Sequence, residues 1–228
     1  MKIIAIIPAR LGSKRIPKKN ITDFKGLPMI AWTIKAALDS GIFHKVVVST
    51  DSDEIAKTSI EYGAEVPFLR LVANDDISPV SDATHASLLQ AEEYWNIKYS
   101  TVVQLMANCP FRTSEDIINF VDEFKNKKLS FLISCFKFRY MNPWCAFKIN
   151  NTNHKWIHND DIVFKRSQDQ EPLYCPTGAI WIANRDSFIK QKTFYGSGYK
   201  FKEINFQSAI DIDSMSDLDF ASSLSFKK

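Results

Sequence analysis

Short apolar runs rich in β-branched residues alternate with stretches of helical period from the first residues to about position 136, and this alternation restricts the possible folds more than any other feature of the chain. Strands are expected over 2–7, 45–49, 65–69, 100–106 and 131–136, and helices over 28–39, 53–62, 82–95 and 114–125. Runs such as Ile3-Ile4-Ala5-Ile6-Ile7 and Val46-Val47-Val48 are apolar at every position rather than at every second one. A strand with that pattern is buried on both faces, as in a parallel sheet with helices on either side. The expectation is an α/β, Rossmann-like fold with a mostly parallel sheet and helices on both faces. Two helix starts carry their own signals. Thr113-Ser114-Glu115-Asp116 and the stretch 211–217 put acceptors and early carboxylates where a helix N-terminus exposes its N–H groups.

Between about 137 and 176 the alternation gives way to a polar stretch carrying Tyr140, Trp144, Phe147, Trp156 and Phe164. This reads as a smaller β-rich arm inserted into a single domain spanning 1–228. That much exposed aromatic surface is costly in water, so a second copy of the chain is expected to cover the arm, giving a homodimer. At 228 residues the chain is long enough for one substantial core. With 29 basic and 26 acidic residues the net charge is only +3, so affinity for anions must come from local clusters, and nucleic acid is not implied. The N-terminal apolar run stops at Pro8, too early for a secretion signal, and no window approaches the ~20 apolar residues that cross a bilayer. Cys109, Cys135, Cys145 and Cys175 form no CxxC pair, which argues against a zinc site or a disulfide framework and for reduced thiols in a cytoplasmic protein.

The loop after the first strand holds the densest positive charge. Arg10, Lys14, Arg15, Lys18 and Lys19 fall between positions 8 and 20, together with Gly12 and Ser13. Ligands of open α/β sheets sit beyond the carboxyl ends of the strands, where this loop emerges. Arginine grips phosphate oxygens with paired donors, lysine supplies a point charge, and glycine lets backbone N–H groups approach closely. The composition suits a triphosphate, although the spacing matches neither GxxxxGK[ST] nor GxGxxG. Near the other end of the chain, Asp211 and Asp213 stand two residues apart. On an extended segment both project from one face and can meet a single cation, while Asp213 is also placed to cap the last helix. His44, His85, His154 and His158 share no metal-ligand spacing.

Ile7-Pro8-Ala9-Arg10, followed by Gly12-Ser13-Lys14 and Lys19-Asn20, resembles the signature of CMP-sialic acid synthetases and their nonulosonate relatives, and Kdo cytidylyltransferases share its beginning. Later segments follow in the family's order. Ser49-Thr50-Asp51-Ser52-Asp53 resembles an STD segment, in which Asp51 or Ser52 also suits a helix cap. Val66-Pro67-Phe68-Leu69-Arg70 ends on an arginine that in the family approaches the nucleotide. Gln104-Leu105-Met106-Ala107-Asn108-Cys109-Pro110-Phe111-Arg112 resembles a QPTSPLR segment, with Asn108 and Cys109 as departures. Arg166-Ser167-Gln168-Asp169, Tyr174 and Gly178-Ala179-Ile180-Trp181-Ile182 resemble an arginine–glutamine stretch followed by NGAIYI.

The resemblance implies transfer of CMP from CTP to the anomeric hydroxyl of a nine-carbon acidic sugar, with release of pyrophosphate. It implies catalytic roles for Arg10, Lys14, Lys19 and Asp211, and nucleotide contacts from Ala9, Arg10, Gly12, Ser13, Lys14, Asn20, Arg70 and Ser81. It assigns the sugar to Gln104, Arg166, Tyr174 and Phe194, and Mg²⁺ to Asp211 and Asp213. Gln104 also suits capping of the sheet edge, Arg166 a surface ion pair, and Phe194 the core. No general base stands out. Positions 13–17 and 166–169 look like pseudaminate enzymes and 178–182 like the sialate branch, so the sugar stays open. The rival readings are a nucleotidyltransferase for another acid such as Kdo and a nucleotide-binding module without turnover.

Overall fold

In the computed structural model, which describes residues 2–75, 77–139 and 141–226, the first apolar run forms β1 (Ile3–Pro8). A small hairpin of β2 (Asp23–Phe24) and β3 (Leu27–Pro28) leads into α1 (Met29–Asp39). Then come β4 (Lys45–Ser49), α2 (Asp53–Glu61), α3 (Val80–Trp95), β5 (Thr101–Gln104), α4 (Ser114–Asn126) and β6 (Phe131–Lys137). The chain continues through β7 (Phe147–Asn150), β8 (Asn153–Trp156), α5 (Asp160–Val163), β9 (Tyr174–Asn184), α6 (Arg185–Gln191), β10 (Lys200–Glu203) and α7 (Met215–Ser223).

The central sheet has six strands in the order β10-β6-β9-β5-β1-β4. β4, β1 and β5 are parallel, as are β10 and β6, while β9 runs antiparallel to both β5 and β6. The sheet is thus mostly parallel within a mixed α/β fold. Ile3, Ala5 and Ile7 pack with Ile30, Ile34 and Phe120 of α1 and α4, whereas Ile4 and Ile6 pack with Leu88 and Phe188 of α3 and α6. Consecutive residues of β1 therefore feed two different cores, which is why the run is apolar at every position.

The expected strand over 65–69 reduces to a single parallel bridge between Val47 and Glu65. Pro67 has no N–H to extend the ladder, so the segment leaves the sheet. It re-engages where the Arg70 N–H donates to the Thr50 carbonyl at 2.7 Å, which delivers Arg70 to the carboxyl end of the sheet. The last helix also differs in detail from expectation. Ser214, not Asp213, caps α7 by accepting from the Asp217 N–H, and Asp217 closes the capping box. The Asp213 carboxylate is thereby left for other partners. At α2 the open choice resolves in the same way, with Ser52 accepting from the Ile55 N–H while Asp51 binds elsewhere.

Within the stretch expected to form the arm, β7 pairs with β8 in a separate two-stranded antiparallel sheet, followed by the single turn of α5. Tyr140 lies outside the described residues. Phe147 meets Trp156 at 5.2 Å between ring centroids, and Trp156 meets Phe164 at 6.1 Å, yet Phe164 stays 72% exposed and Ile149 61%.

Phe194, assigned by resemblance to the sugar, is instead a core residue at 0% exposure, 4.5 Å from Phe188 and 5.6 Å from Trp181 between ring centroids. The segment after α6 covers the sheet face next to α3, where Phe194 packs with Ile4, Leu88 and Phe188. Phe194→Ala is expected to destabilise the protein by about 3–5 kcal/mol, read as a lower denaturant midpoint at unchanged slope.

Candidate active site

Backbone and side-chain ties fix the basic loop as it leaves β1. The Ala9 N–H donates to the Ser49 carbonyl at 2.9 Å and the Leu11 N–H to Asp51 Oδ1 at 3.0 Å. Buried Asn20 donates from Nδ2 to the Arg10 carbonyl at 2.9 Å, pinning the end of the loop to its start. The five cations then divide. Lys18 turns outward to Glu54 at 2.7 Å, whereas Arg15 and Lys19 reach Asp213 at 2.7 and 2.6 Å.

The acidic pair comes from the extended segment before α7. Ile210 and Ile212 are buried in a third cluster with Ile16, Phe24 and Phe111, so the intervening Asp211 and Asp213 project the other way. The Ile212 N–H donates to the Asn108 carbonyl at 3.0 Å, which docks this segment on the loop after β5. Asn108 Nδ2 contacts Asp211 Oδ1 and lies 3.1 Å from Asp213 Oδ1, so two carboxylates converge on one nitrogen. Burial, reinforced by the charge of Asp213, pushes the Asp211 carboxyl up to about 6. For Asp213 burial opposes ionisation, but the hydrogen bonds and charges of Lys19 and Arg15 outweigh it and hold the group below the usual carboxylate range.

Loop and acidic pair face one another across a cleft of ≈ 530 Å³, with Gly12, Ser13 and Lys14 on one wall and Asn108, Asp211 and Asp213 on the other. A second hollow of ≈ 220 Å³ shares Pro8, Arg10 and Met106 with the first and is bounded by Ala9, Arg70 and Ser78. Arg70 is buried, its Nε donates to Asn74 Oδ1 at 3.2 Å, and burial lowers the pKa of its guanidinium, with Arg10 adding to the shift and Asp51 opposing it. Gly178 sits where a Cβ would come within 2.7 Å of Met106 Cγ, so β9 approaches the cleft floor through a residue without a side chain.

The structure thus brings Ala9, Arg10, Gly12, Ser13, Lys14, Lys19, Asn20, Arg70, Asp211 and Asp213 to these two connected hollows. Other residues assigned by resemblance lie elsewhere. Gln104 is 0% exposed, and its Oε1 accepts from Thr84 Oγ1 at 2.6 Å. Its side chain ties β5 to α3, and it does not line the cleft. Ser81 is buried in the first turn of α3. Arg166 is exposed at the start of a short turn in the arm, Tyr174 opens β9 at the arm's edge, and neither lines the cleft. The sequence placed Arg15 among the loop's cations but not its pairing with Asp213, and gave no sign of Met106 or of the bridging position of Asn108. The available signal was Asn108 itself, a departure from the resembled segment at the carboxyl end of a strand.

Residues 4–228 match the family model described as cytidylyltransferase. The pseudaminic acid cytidylyltransferase of Campylobacter jejuni (serotype O:23/36, strain 81-176) is 33% identical over 221 residues, 97% of this chain and 95% of that protein. The CMP-N,N'-diacetyllegionaminic acid synthase of Legionella pneumophila is 35% identical over 218 residues, 93% of this chain and 91% of that protein. The N-acylneuraminate cytidylyltransferase of Escherichia coli O18:K1:H7 is 30% identical over 237 residues, all of this chain but 53% of that protein. Among solved structures, CMP:2-keto-3-deoxy-manno-octonic acid synthetase complexed with CTP shares the fold, with a TM-score of 0.70 at 18% identity and 98% of both chains covered. A match to the family model over nearly the whole chain, with full-length relatives above 30% identity, means that this chain belongs to the cytidylyltransferase family.

Proposed function

We propose that the chain transfers CMP from CTP to the anomeric hydroxyl of a nonulosonic acid of the pseudaminate or legionaminate kind, releasing pyrophosphate. The observation that carries this reading is the convergence of Arg15 and Lys19 from the basic loop on Asp213 of the acidic pair, within one cleft. The choice of acid rests on the relatives named for pseudaminate and legionaminate, which match over more than nine-tenths of their own length, against 53% for the sialate relative.

Two carboxylates converging on one atom, one of them destabilised as an anion by burial and by its neighbour, form a donor set suited to a hard divalent cation such as Mg²⁺. When bound there, Mg²⁺ would offset the triphosphate's charge and favour ionisation of the attacking hydroxyl. The protein's own groups do the rest. Arg10, Lys14 and Lys19 neutralise the triphosphate, and the backbone around Gly12 and Ser13 lets phosphate oxygens come close. Arg15 and Lys19 hold Asp213 in the free protein and turn to phosphate oxygens when the nucleotide enters. Arg70 serves the end of the nucleotide in the smaller hollow. Transfer of this kind draws on positioning and charge stabilisation more than on covalent catalysis. The exposed apolar arm is read as the contact with a second copy of the chain, giving a homodimer. No helix among the described residues is long and apolar enough to cross a membrane, and dependence on CTP supports work in the cytoplasm.

The test is a panel of pseudaminic, legionaminic and sialic acids and Kdo, each with CTP and Mg²⁺, with CMP-sugar detected by mass spectrometry. Product is expected with the pseudaminate or legionaminate class; product with Kdo alone, or with none, overturns the reading. Arg70→Ala is expected to raise KM for CTP by about 10–100-fold with a smaller change in kcat, the loss of one charged contact.

A further inference from the structure

We propose that Asn108 is a third oxygen ligand of the cation held by Asp211 and Asp213, presented by rotation of its side-chain amide. The inference rests on the reading of those two aspartates as cation ligands. Among the described residues no group of three or more His, Cys, Asp or Glu is placed to hold a metal, so the protein itself supplies only two acidic ligands at this point. Mg²⁺ fills about six oxygen positions, and amide carbonyls belong to the ligand class that hard cations accept.

Asn108 is where such a ligand would have to be. It is buried at the cleft wall, and its Nδ2 touches one oxygen of each aspartate. The same nitrogen donates to the Ile212 carbonyl at 3.2 Å, and the Asn108 carbonyl accepts from the Ile212 N–H at 3.0 Å. The backbone tie fixes the residue against the segment that carries both carboxylates, so the amide can turn, giving up its own bond to the Ile212 carbonyl, while its root stays in place. A half-turn exchanges nitrogen for oxygen, since the two ends of the amide have nearly the same size and shape.

One electrostatic rule sets both orientations. With only carboxylates in front of it, the amide presents N–H. A divalent cation seated between the carboxylates repels N–H and attracts the carbonyl oxygen, and this differential interaction drives the turn. Asparagine also explains what aspartate would not do here. A third carboxylate would add like charge beside two carboxylates that already converge on one atom, whereas an amide serves as donor to the empty pair and as ligand to the filled one.

The experiment uses the full chain and two variants. Mn²⁺ affinity, followed by the EPR signal of the free ion, is expected to fall on the order of tenfold or more in Asn108→Ala. That loss alone could come from carboxylates no longer held together, so the second variant asks about direct bonding. Asn108→Cys loaded with Cd²⁺ is expected to show an ultraviolet thiolate-to-Cd²⁺ absorption band in excess of any that the native chain gives through its own thiols, exposed Cys145 among them. Native Mn²⁺ affinity in Asn108→Ala, or no Cd²⁺ absorption in Asn108→Cys beyond that of the native chain, overturns the proposal. If Asp213→Asn loses Mn²⁺ while the Asn108 variants behave as the native chain does, only the third ligand falls. If the native chain takes up no Mn²⁺, the cation reading fails and this proposal with it.

Discussion

Asp211→Asn is expected to lower turnover by about a thousandfold while making the ligand-free protein more stable than the native chain at pH 8. On the proposed reading the loss follows from removing a charged cation ligand at the point where the triphosphate would be held, a contact stronger in the transition state than in the ground state. The gain follows from linkage. The folded-state pKa of Asp211 is raised to about 6 from its ordinary value of 3.8, chiefly by burial. The folded protein therefore holds this proton more tightly than the unfolded chain does. Ionised Asp211 costs stability above pH 6, and the cost fades as the pH falls through 6 toward 4. Asp211 is nevertheless open to solvent at the cleft, and screening leaves only about 1 kcal/mol of this cost at pH 8. Asparagine carries no such charge. For a chain of this length each kcal/mol is worth about 2–4 °C in Tm, so calorimetry at pH 8 is expected to show a rise of about 2–4 °C that narrows at pH 5. A variant no more stable than the native chain at pH 8 contradicts the electrostatic part of this argument, and a variant with native turnover contradicts the chemical part.

Lys19→Ala is expected to lower kcat/KM for CTP by about 100- to 1000-fold, the scale of losing one preorganised donor to developing negative charge. The Lys19 side chain is largely buried, and its Nζ lies 2.6 Å from Asp213 Oδ1, so it stands where the acidic pair and the triphosphate would meet. Lys18 is the control. It lies next in sequence, carries the same charge and pairs outward with Glu54 at 2.7 Å. An exposed pair of this kind contributes about 0–1 kcal/mol, so Lys18→Ala is expected to change kcat/KM by no more than a few-fold. Equal losses from the two substitutions would mean that the loop acts as diffuse positive charge rather than as a shaped site.

This contrast shows what could be read in the sequence and what could not. The loop's composition announced an anion site, but the division of labour among its cations depends on Glu54 and Asp213, which the fold brings from other segments. The sheet was legible because β1 and β4 are apolar at every position, a consequence of burial on both faces. The antiparallel course of β9 was not, since strand direction is decided by pairing with β5 and β6, which are distant in sequence. Asp211 and Asp213 were legible through the period of two, with Ile210 and Ile212 facing the core between them. Asn108 was visible only as an oddity, because its partners lie 103 and 105 residues away. Phe194 failed for a different reason: an aromatic side chain beside an exposed one, Tyr195, satisfies the requirements of a core and of a sugar face equally well until packing is known. Pro67 offered a signal against the 65–69 strand, since its missing N–H stops the ladder after one bridge.

In the proposed reaction the basic loop and the acidic pair act together, through a divalent cation, on one nucleotide. Its most direct measurement is pyrophosphate release from CTP with pseudaminic or legionaminic acid as acceptor, titrated with Mg²⁺ from a chelated start. Release that is absent in chelator and rises to saturation with Mg²⁺ is the expected result; release that proceeds unchanged in chelator would contradict it.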